Sequence, residues 1–161
     1  MKPTHATATN WRFFMTTPDD PVEADQEMAT ILGLLDGDEE WSAALWRLPE
    51  DNPTRVLNGA GAREFLQSAG TAQRLSIEMM RREQRGDDGY CLYAVGKPGA
   101  PGPEPTTISW QDRSIQVATN EVYTAEEAAV IYAYYRKHNT VPPDATLRLI
   151  DTFPDDDVGG I

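Results

Sequence analysis

Residues 75–95 have the sequence LSIEMMRREQRGDDGYCLYAV, and this stretch determines the fold class of the chain. Leu75, Ile77 and Met79 alternate with their neighbours at period two, which is typical of a strand with one buried face. The turn residues 87–89, Asp-Asp-Gly, follow, and residues 90–95 return as a second apolar strand. Two strands joined by a short turn of this kind pair antiparallel. The stretch therefore predicts a hairpin.

Further strands are predicted on both sides of this hairpin. Residues 41–48 carry apolar side chains on both faces, which indicates a central strand, and residues 147–150 have strand character. Residues 11–15 predict a short edge strand, whose aromatic side chains we expect to pack inward. Residues 106–110 and 114–118 predict a second hairpin across residues 111–113. The intervening residues 96–105 hold four prolines and three glycines and predict an exposed connection.

Two helices have clear start signals. Asp20 can cap the first, Pro21 suits its first position, and Gly37 marks its end. Its apolar stripe consists of Met28, Ile31, Leu32 and Leu35. Thr124 and Glu127 form a capping-box pattern at the start of the second helix. The stripe of the second helix consists of Ala125, Ala128, Ala129, Tyr132 and Tyr135.

The order of these elements predicts an α+β fold, an antiparallel sheet built from hairpins with two main helices packed on it. We expect a loose N-terminal arm over residues 1–10, because its small polar residues bury little surface. A single α+β domain is expected over residues 11–152, followed by an acidic tail over residues 153–161. Residues 54–72 stay open, since residues 62–68 fit a weak helical turn as well as a poor strand.

The composition excludes several classes of function. The 161 residues carry a net charge of −12 at neutral pH, which repels phosphate backbones, so nucleic acid is not expected as a ligand. The chain has no apolar run of about 18 residues and no secretory signal pattern, so we expect neither membrane contact nor export. Cys91 is the only cysteine, which fits a reducing compartment. A cytoplasmic protein is the expectation.

Catalytic, cofactor-binding and metal-binding residues are not expected. His5 lies in the predicted arm, His138 ends the second helix, and Cys91 lies inside a strand with no base beside it. No glycine pattern between a strand and a helix indicates a phosphate or dinucleotide site. The acidic residues 36–40 lack the later bidentate Glu of a calcium-binding loop. We therefore expect a protein that is not an enzyme.

Residues 19–40 contain nine acidic residues and no Lys or Arg. A solvated acidic face explains this pattern about as well as a surface that docks a basic partner. For the second interpretation, Trp110 and Tyr123 are candidate aromatic anchors, although burial in the sheet is the commoner fate of such side chains. The candidate acidic partner-binding residues lie at the end of the first helix and are Asp36, Asp38, Glu39 and Glu40.

Residues 114–129, SIQVATNEVYTAEEAA, continue through Tyr132 and Tyr135 to Pro142 and residues 147–149, LRL. This region resembles the C-terminal half of the first family in the series of bacterial polymorphic-toxin immunity proteins, including those paired with secreted deaminase toxins. The resemblance covers about residues 90–150. It implies a cytoplasmic, non-enzymatic inhibitor that binds one cognate toxin domain and occludes its active site or substrate surface. The acidic charge of the chain independently predicts that this toxin domain has a basic surface.

Two other functions stay open at this point. One is an acidic inhibitor that mimics nucleic acid, or an adaptor, without a toxin partner. The other is a small enzyme, for which a deep pocket with strongly shifted carboxylates would be the sign.

Overall fold

The structure is a computed structural model that describes residues 4–50 and 63–155, and its centre is an antiparallel sheet. The elements within these ranges are β1 (His5–Thr9), β2 (Phe13–Thr16), α1 (Pro21–Gly33), β3 (Ser42–Arg47), β4 (Phe65–Thr71), β5 (Arg74–Leu75), β6 (Glu78–Arg85), β7 (Asp88–Gly96), β8 (Thr106–Trp110), β9 (Arg113–Val117), a 3₁₀ helix (Thr119–Glu121), α2 (Ala125–His138) and β10 (Thr146–Phe153). The strands of the sheet lie in the order β10-β7-β6-β4-β3-β1-β2, and the short β5 pairs with β4. Strands β8 and β9 form a separate hairpin. The fold class is α+β, as predicted.

Both faces of the sheet bury apolar side chains. Both helices pack on one face, where Leu32 of α1 and Tyr132 of α2 join Leu45 of β3 in one core cluster. On the other face Trp46 and Ala44 of β3 pack in a second cluster with residues of β1, β4, β6 and β7. Strand β3 lies between β4 and β1, and its apolar residues are buried on both faces because each face is covered by one of the two clusters. The prediction of a central strand over this segment is confirmed.

The predicted helix starts are confirmed, and one predicted end is wrong. Thr124 and Glu127 cap α2 reciprocally, and the side chain of Asp20 accepts a hydrogen bond from the N–H of Val22 in α1. Helix α1 ends at Gly33, before the predicted stop at Gly37. Leu34 is the C-cap, and two residues later Asp36 forms an antiparallel bridge with Thr71, so the chain is no longer helical where Gly37 lies.

The predicted loose arm over residues 1–10 is wrong for the part that the structure describes. His5–Thr9 form β1, which pairs with β3 on one side and β2 on the other. Ala6 and Ala8 are fully buried against the face that carries Trp46. Small side chains fit at Ala6 and Ala8 because Trp46 occupies the neighbouring volume. The two strands that flank β1 satisfy its backbone hydrogen bonds. Asn10 and Trp11, both with positive φ, turn the chain into β2.

The structure also settles the segments whose assignment was open or approximate. Within residues 54–72, residues 65–71 form β4, and residues 51–62 lie outside the described residues. Strand β10 includes Phe153, one residue into the predicted tail, and residues 156–161 are also outside the described ranges. Of the predicted connection over residues 96–105, residues 97–105 have no regular structure, whereas Gly96 is the last residue of β7 and is buried. Neither helix of the described ranges is long and apolar enough to cross a membrane.

Candidate partner-binding surface

Residues 36–40 form a turn, here called the acidic turn, and hydrogen bonds of the side chain and backbone of Asp36 hold it closed. Its Oδ1 accepts hydrogen bonds from the N–H groups of Asp38 at 2.9 Å and Glu40 at 3.0 Å. The N–H groups of Asp36 and Gly37 both donate to the carbonyl oxygen of Glu40. The two backbone donors hold the pKa of the Asp36 carboxyl below its ordinary value. The carboxylate of Asp36 thus fixes the turn, and the other acidic side chains extend from it.

Gly37 allows the acidic turn to meet the β8–β9 hairpin. Its φ of +81° suits glycine, and an added Cβ would lie 3.0 Å from Thr71 Cγ2. The carbonyl oxygen of Gly37 accepts a hydrogen bond of 2.5 Å from the N–H of Gln111, at the tip of the hairpin. Gln111 Nε2 also donates to the carbonyl oxygen of Asp38. The hairpin tip is therefore bonded to the acidic turn.

Trp41 and Trp110 stack across this junction. Their ring centroids are 6.3 Å apart and their planes differ by 6°. Trp110 is half-buried, and its Nε1 is a buried atom with no hydrogen-bond partner in the described structure. Such a stack contributes about 0.5–1.5 kcal/mol beyond the burial of its area. It holds the hairpin beside the acidic turn.

Asn10 attaches the acidic turn to the β1–β2 hairpin. Its Nδ2 donates to the carbonyl oxygen of Glu39 at 2.7 Å, and its Oδ1 accepts from the N–H groups of Trp41 and Ser42. Two hairpins and a central strand thus position the turn. Hydrogen bonds within the chain therefore hold this surface in place.

The structure brings most of the predicted partner-binding residues together. Asp36, Asp38 and Glu39 are exposed, Glu40 is partly exposed, and Trp110 lies beside them through its stack on Trp41. Whether these residues bind a partner stays a prediction. Their proximity could not be predicted from sequence, because 70 residues separate Glu40 from Trp110.

Tyr123 does not belong to this surface. It is 2% exposed and lies in the helix-side core, and its backbone is bonded in both directions to Leu75. Burial raises the pKa of its phenol. The expectation that Tyr123 anchors a partner is therefore wrong, because the strand-to-helix connection that carries it is packed against β5.

An apolar groove beside the acidic turn was missed at the sequence level. It has a volume of about 180 Å³ and is lined by Thr9, Phe13, Ile31, Leu34 and Glu40. Of the aromatics in residues 11–15, Trp11 and Phe14 pack on Trp46 as expected, whereas Phe13 is 68% exposed. The alternation of strand β2 explains the difference, because Phe14 faces Trp46 and Phe13 therefore faces the opposite side.

A second polar region lies on the sheet face opposite the helices. Glu121 binds Arg148 through both of its carboxylate oxygens and also accepts from the N–H of Ala118. Glu78 accepts from Gln67 Nε2 at 2.8 Å, and burial raises the pKa of its carboxyl. Both carboxylates line a cavity of about 120 Å³ under the β8–β9 hairpin. Of the two carboxyl groups, Glu78 is the one with the raised pKa, and a shifted carboxyl in a cavity is the feature by which an enzyme site would be recognised.

The other candidate chemical groups are dispersed. Cys91 is buried, as predicted for a structural cysteine, and His138 packs on the ring of Tyr134. His5 is buried in β1, where desolvation, with Arg47 and Arg136 nearby, lowers its pKa to about 4. Across residues 4–50 and 63–155, no group of three or more His, Cys, Asp or Glu side chains is arranged to hold a metal ion.

Comparison with protein-family models gave no match, and comparisons with curated proteins and with solved structures gave none either. The similarity of residues 90–150 to immunity proteins therefore rests on the sequence pattern alone.

Proposed function

We propose that this protein is an immunity protein, a cytoplasmic inhibitor without enzymatic activity that binds and neutralises one cognate bacterial toxin domain. The observation that carries the proposal is the ordered acidic turn beside Trp110. Two hairpins hold it in place through Asn10 and Gln111, so little conformational entropy is lost when a partner binds. The resemblance of residues 90–150 supports the same function.

The charge of the surface suits a toxin that acts on nucleic acid or on another anionic substrate. Such a toxin needs a basic substrate surface, and an acidic inhibitor covers it with complementary charge. The inhibitor must also find its partner quickly, and long-range attraction between opposite charges raises association rates. A deaminase or nuclease toxin domain meets both conditions.

The test uses the toxin domain encoded immediately upstream of this protein's gene. We expect co-expression of this protein to restore growth to cells that produce that domain, and calorimetry to detect direct binding of the two purified proteins. The double variant Asp38→Lys with Glu40→Lys should bind several kcal/mol more weakly, because it sets like charges against each other. Asp36 stays native in this variant, so the turn stays closed.

A matched control carries Glu104→Lys with Asp144→Lys. These two exposed acidic residues lie outside the acidic turn, and their reversal changes the net charge by the same amount. We expect the control to protect cells as the native protein does. Absence of protection by the native protein contradicts the proposed function, and equal weakening by both double variants contradicts the assignment of the acidic turn.

A further inference from the structure

Strand β2 is an edge of the sheet with a free row of backbone groups. Among the described residues it pairs only with β1. The N–H of Thr17 donates to the carbonyl oxygen of His5, and in an antiparallel pair the residues that face the neighbouring strand alternate with those that face away. The N–H and C=O groups of Phe14 and Thr16 therefore point away from β1. Such an edge is a template for one more strand.

The same edge exposes large apolar side chains on the helix-bearing face of the sheet. Phe13 and Met15 are two residues apart on that face and are 68% and 51% exposed. Phe13 also forms a wall of the apolar groove, together with Leu34, which is 63% exposed. An added strand would place its alternate side chains over these residues and into the groove.

The charge around the groove selects its occupant. Glu40 lines the groove and Glu39 is bonded to the turn that leads into β2. Arg12 is the only Lys or Arg between residues 3 and 46. A second copy of this chain would bring a like acidic field to the same edge, which opposes self-association. A basic extended segment is the complementary occupant.

We propose that the free edge of β2 and the apolar groove bind an extended segment of the toxin domain as an additional strand. The segment carries apolar side chains at alternate positions, which cover Phe13 and enter the groove, and Lys or Arg beside them, which pair with Glu39 and Glu40. This inference rests on the proposed function and names the part of the partner that this protein recognises.

A synthetic peptide tests the edge without the toxin. The peptide Lys-Lys-Val-Thr-Val-Thr-Val-Lys-Lys has the required alternation and charge, and replacement of both Thr by Pro gives a control that cannot extend the sheet. We expect bound peptide to slow amide hydrogen exchange at Phe14 and Thr16 by about tenfold or more. Met15, whose N–H faces β1, serves as the internal reference. Unchanged exchange at Phe14 and Thr16, or equal slowing by the Pro peptide, overturns the proposal.

Matched variants separate the backbone edge from the groove. Thr16→Pro removes the outward N–H, whereas Thr16→Ala removes only the exposed side chain and should bind as the native protein does. Phe13→Ser should weaken peptide binding by about tenfold, as the loss of a buried aromatic anchor does. Its control is Val130→Ser on α2, a position that is 67% exposed and does not line the groove. Equal affinities of Phe13→Ser and Val130→Ser for the peptide contradict the assignment of the groove to peptide binding.

The toxin-protection assay distinguishes this inference from the proposed function. Weaker protection by Thr16→Pro and Phe13→Ser, with full protection by Thr16→Ala and Val130→Ser, supports both the edge inference and the proposed function. Full protection by all four variants overturns the edge inference and leaves the inhibitor function standing. If the native protein gives no protection but binds the peptide at β2, the proposed function fails and the edge site remains. A dimer that Phe13→Ser converts to monomer assigns the edge to a second copy and overturns the proposal.

Discussion

Asn10 is the residue that joins the N-terminal hairpin to the acidic turn. It occupies the left-handed region with φ of 55°, a conformation that asparagine tolerates better than most residues. Its side chain makes hydrogen bonds to Glu39, Trp41 and Ser42. Both the backbone angle and the side chain therefore explain why asparagine stands here.

Replacement of Asn10 by Gly should lower the free energy of unfolding by about 1–3 kcal/mol, because partly buried groups of Trp41 and Ser42 lose their partner. Glycine keeps the positive φ, so the loss reports on the side chain. Asn10→Ala should lose more, since alanine adds backbone strain. Urea denaturation measures the free energy of unfolding of both variants. Equal values for Asn10→Gly and the native protein would show that these hydrogen bonds make no net contribution to stability.

His5 makes stability depend on pH. Its pKa is about 4 in the folded protein because burial disfavours the charged ring, against 6.5 for an ordinary histidine. The unfolded chain therefore binds a proton between pH 6.5 and pH 4 that the folded protein does not, so this contribution to stability is complete above pH 6.5 and decreases as pH falls. Between pH 7.5 and pH 5 the loss is about 2 kcal/mol.

The measurement is the free energy of unfolding at several pH values for the native protein and for His5→Gln, which has no titrating ring. We expect the difference between the two curves to change over this window and to level off above pH 7. Subtraction is needed because Glu78, with its raised pKa, changes stability in the opposite direction near the acid end of the window. Parallel curves would mean that His5 is not desolvated.

Helix α1 illustrates how an element divides its residues between core and surface. Leu32 is fully buried against the sheet, whereas Leu34, just after the helix, is 63% exposed beside the groove. Leu32→Ala should cost about 2–5 kcal/mol of stability through lost burial and a residual cavity. Leu34→Ala should change stability by less than about 0.5 kcal/mol. Thermal unfolding of the two variants compares them directly, and similar losses would place Leu34 in the core.

Across the whole molecule, the net charge of −12 gives the surface a field that reaches beyond any single contact. We expect the association rate with a basic toxin domain to fall as salt rises, because charges are screened over about 8 Å at physiological ionic strength. Stopped-flow measurements at low and high salt test this, and dissociation should change much less. An association rate independent of salt would exclude electrostatic steering.

The sequence determined the features that depend on neighbouring residues. The strand predicted from the alternation of Leu75, Ile77 and Met79 is divided in the structure, because Leu75 ends β5, residues 76–77 lie in no strand, and β6 begins at Glu78. The turn chemistry of residues 87–89, the capping box of α2 and the apolar faces of β3 predicted a hairpin, a helix start and a central strand, and the structure has all three. Each rests on side-chain periodicity or on hydrogen bonds within a few residues. The acidic turn was visible for the same reason, as a local run of charge.

Only the tertiary structure decided which distant segments meet. Strand β1 carries alanine and threonine and has little strand signal of its own, yet two neighbouring strands complete its backbone hydrogen bonds and Trp46 makes small side chains fit. Tyr123 is fully buried and Trp110 is half-buried for a similar reason, since the packing of β5 and the docking of the β8–β9 hairpin place these two aromatics in different environments. Burial depends on what packs above a residue, and contacts between segments tens of residues apart in the chain leave no periodic pattern in the sequence.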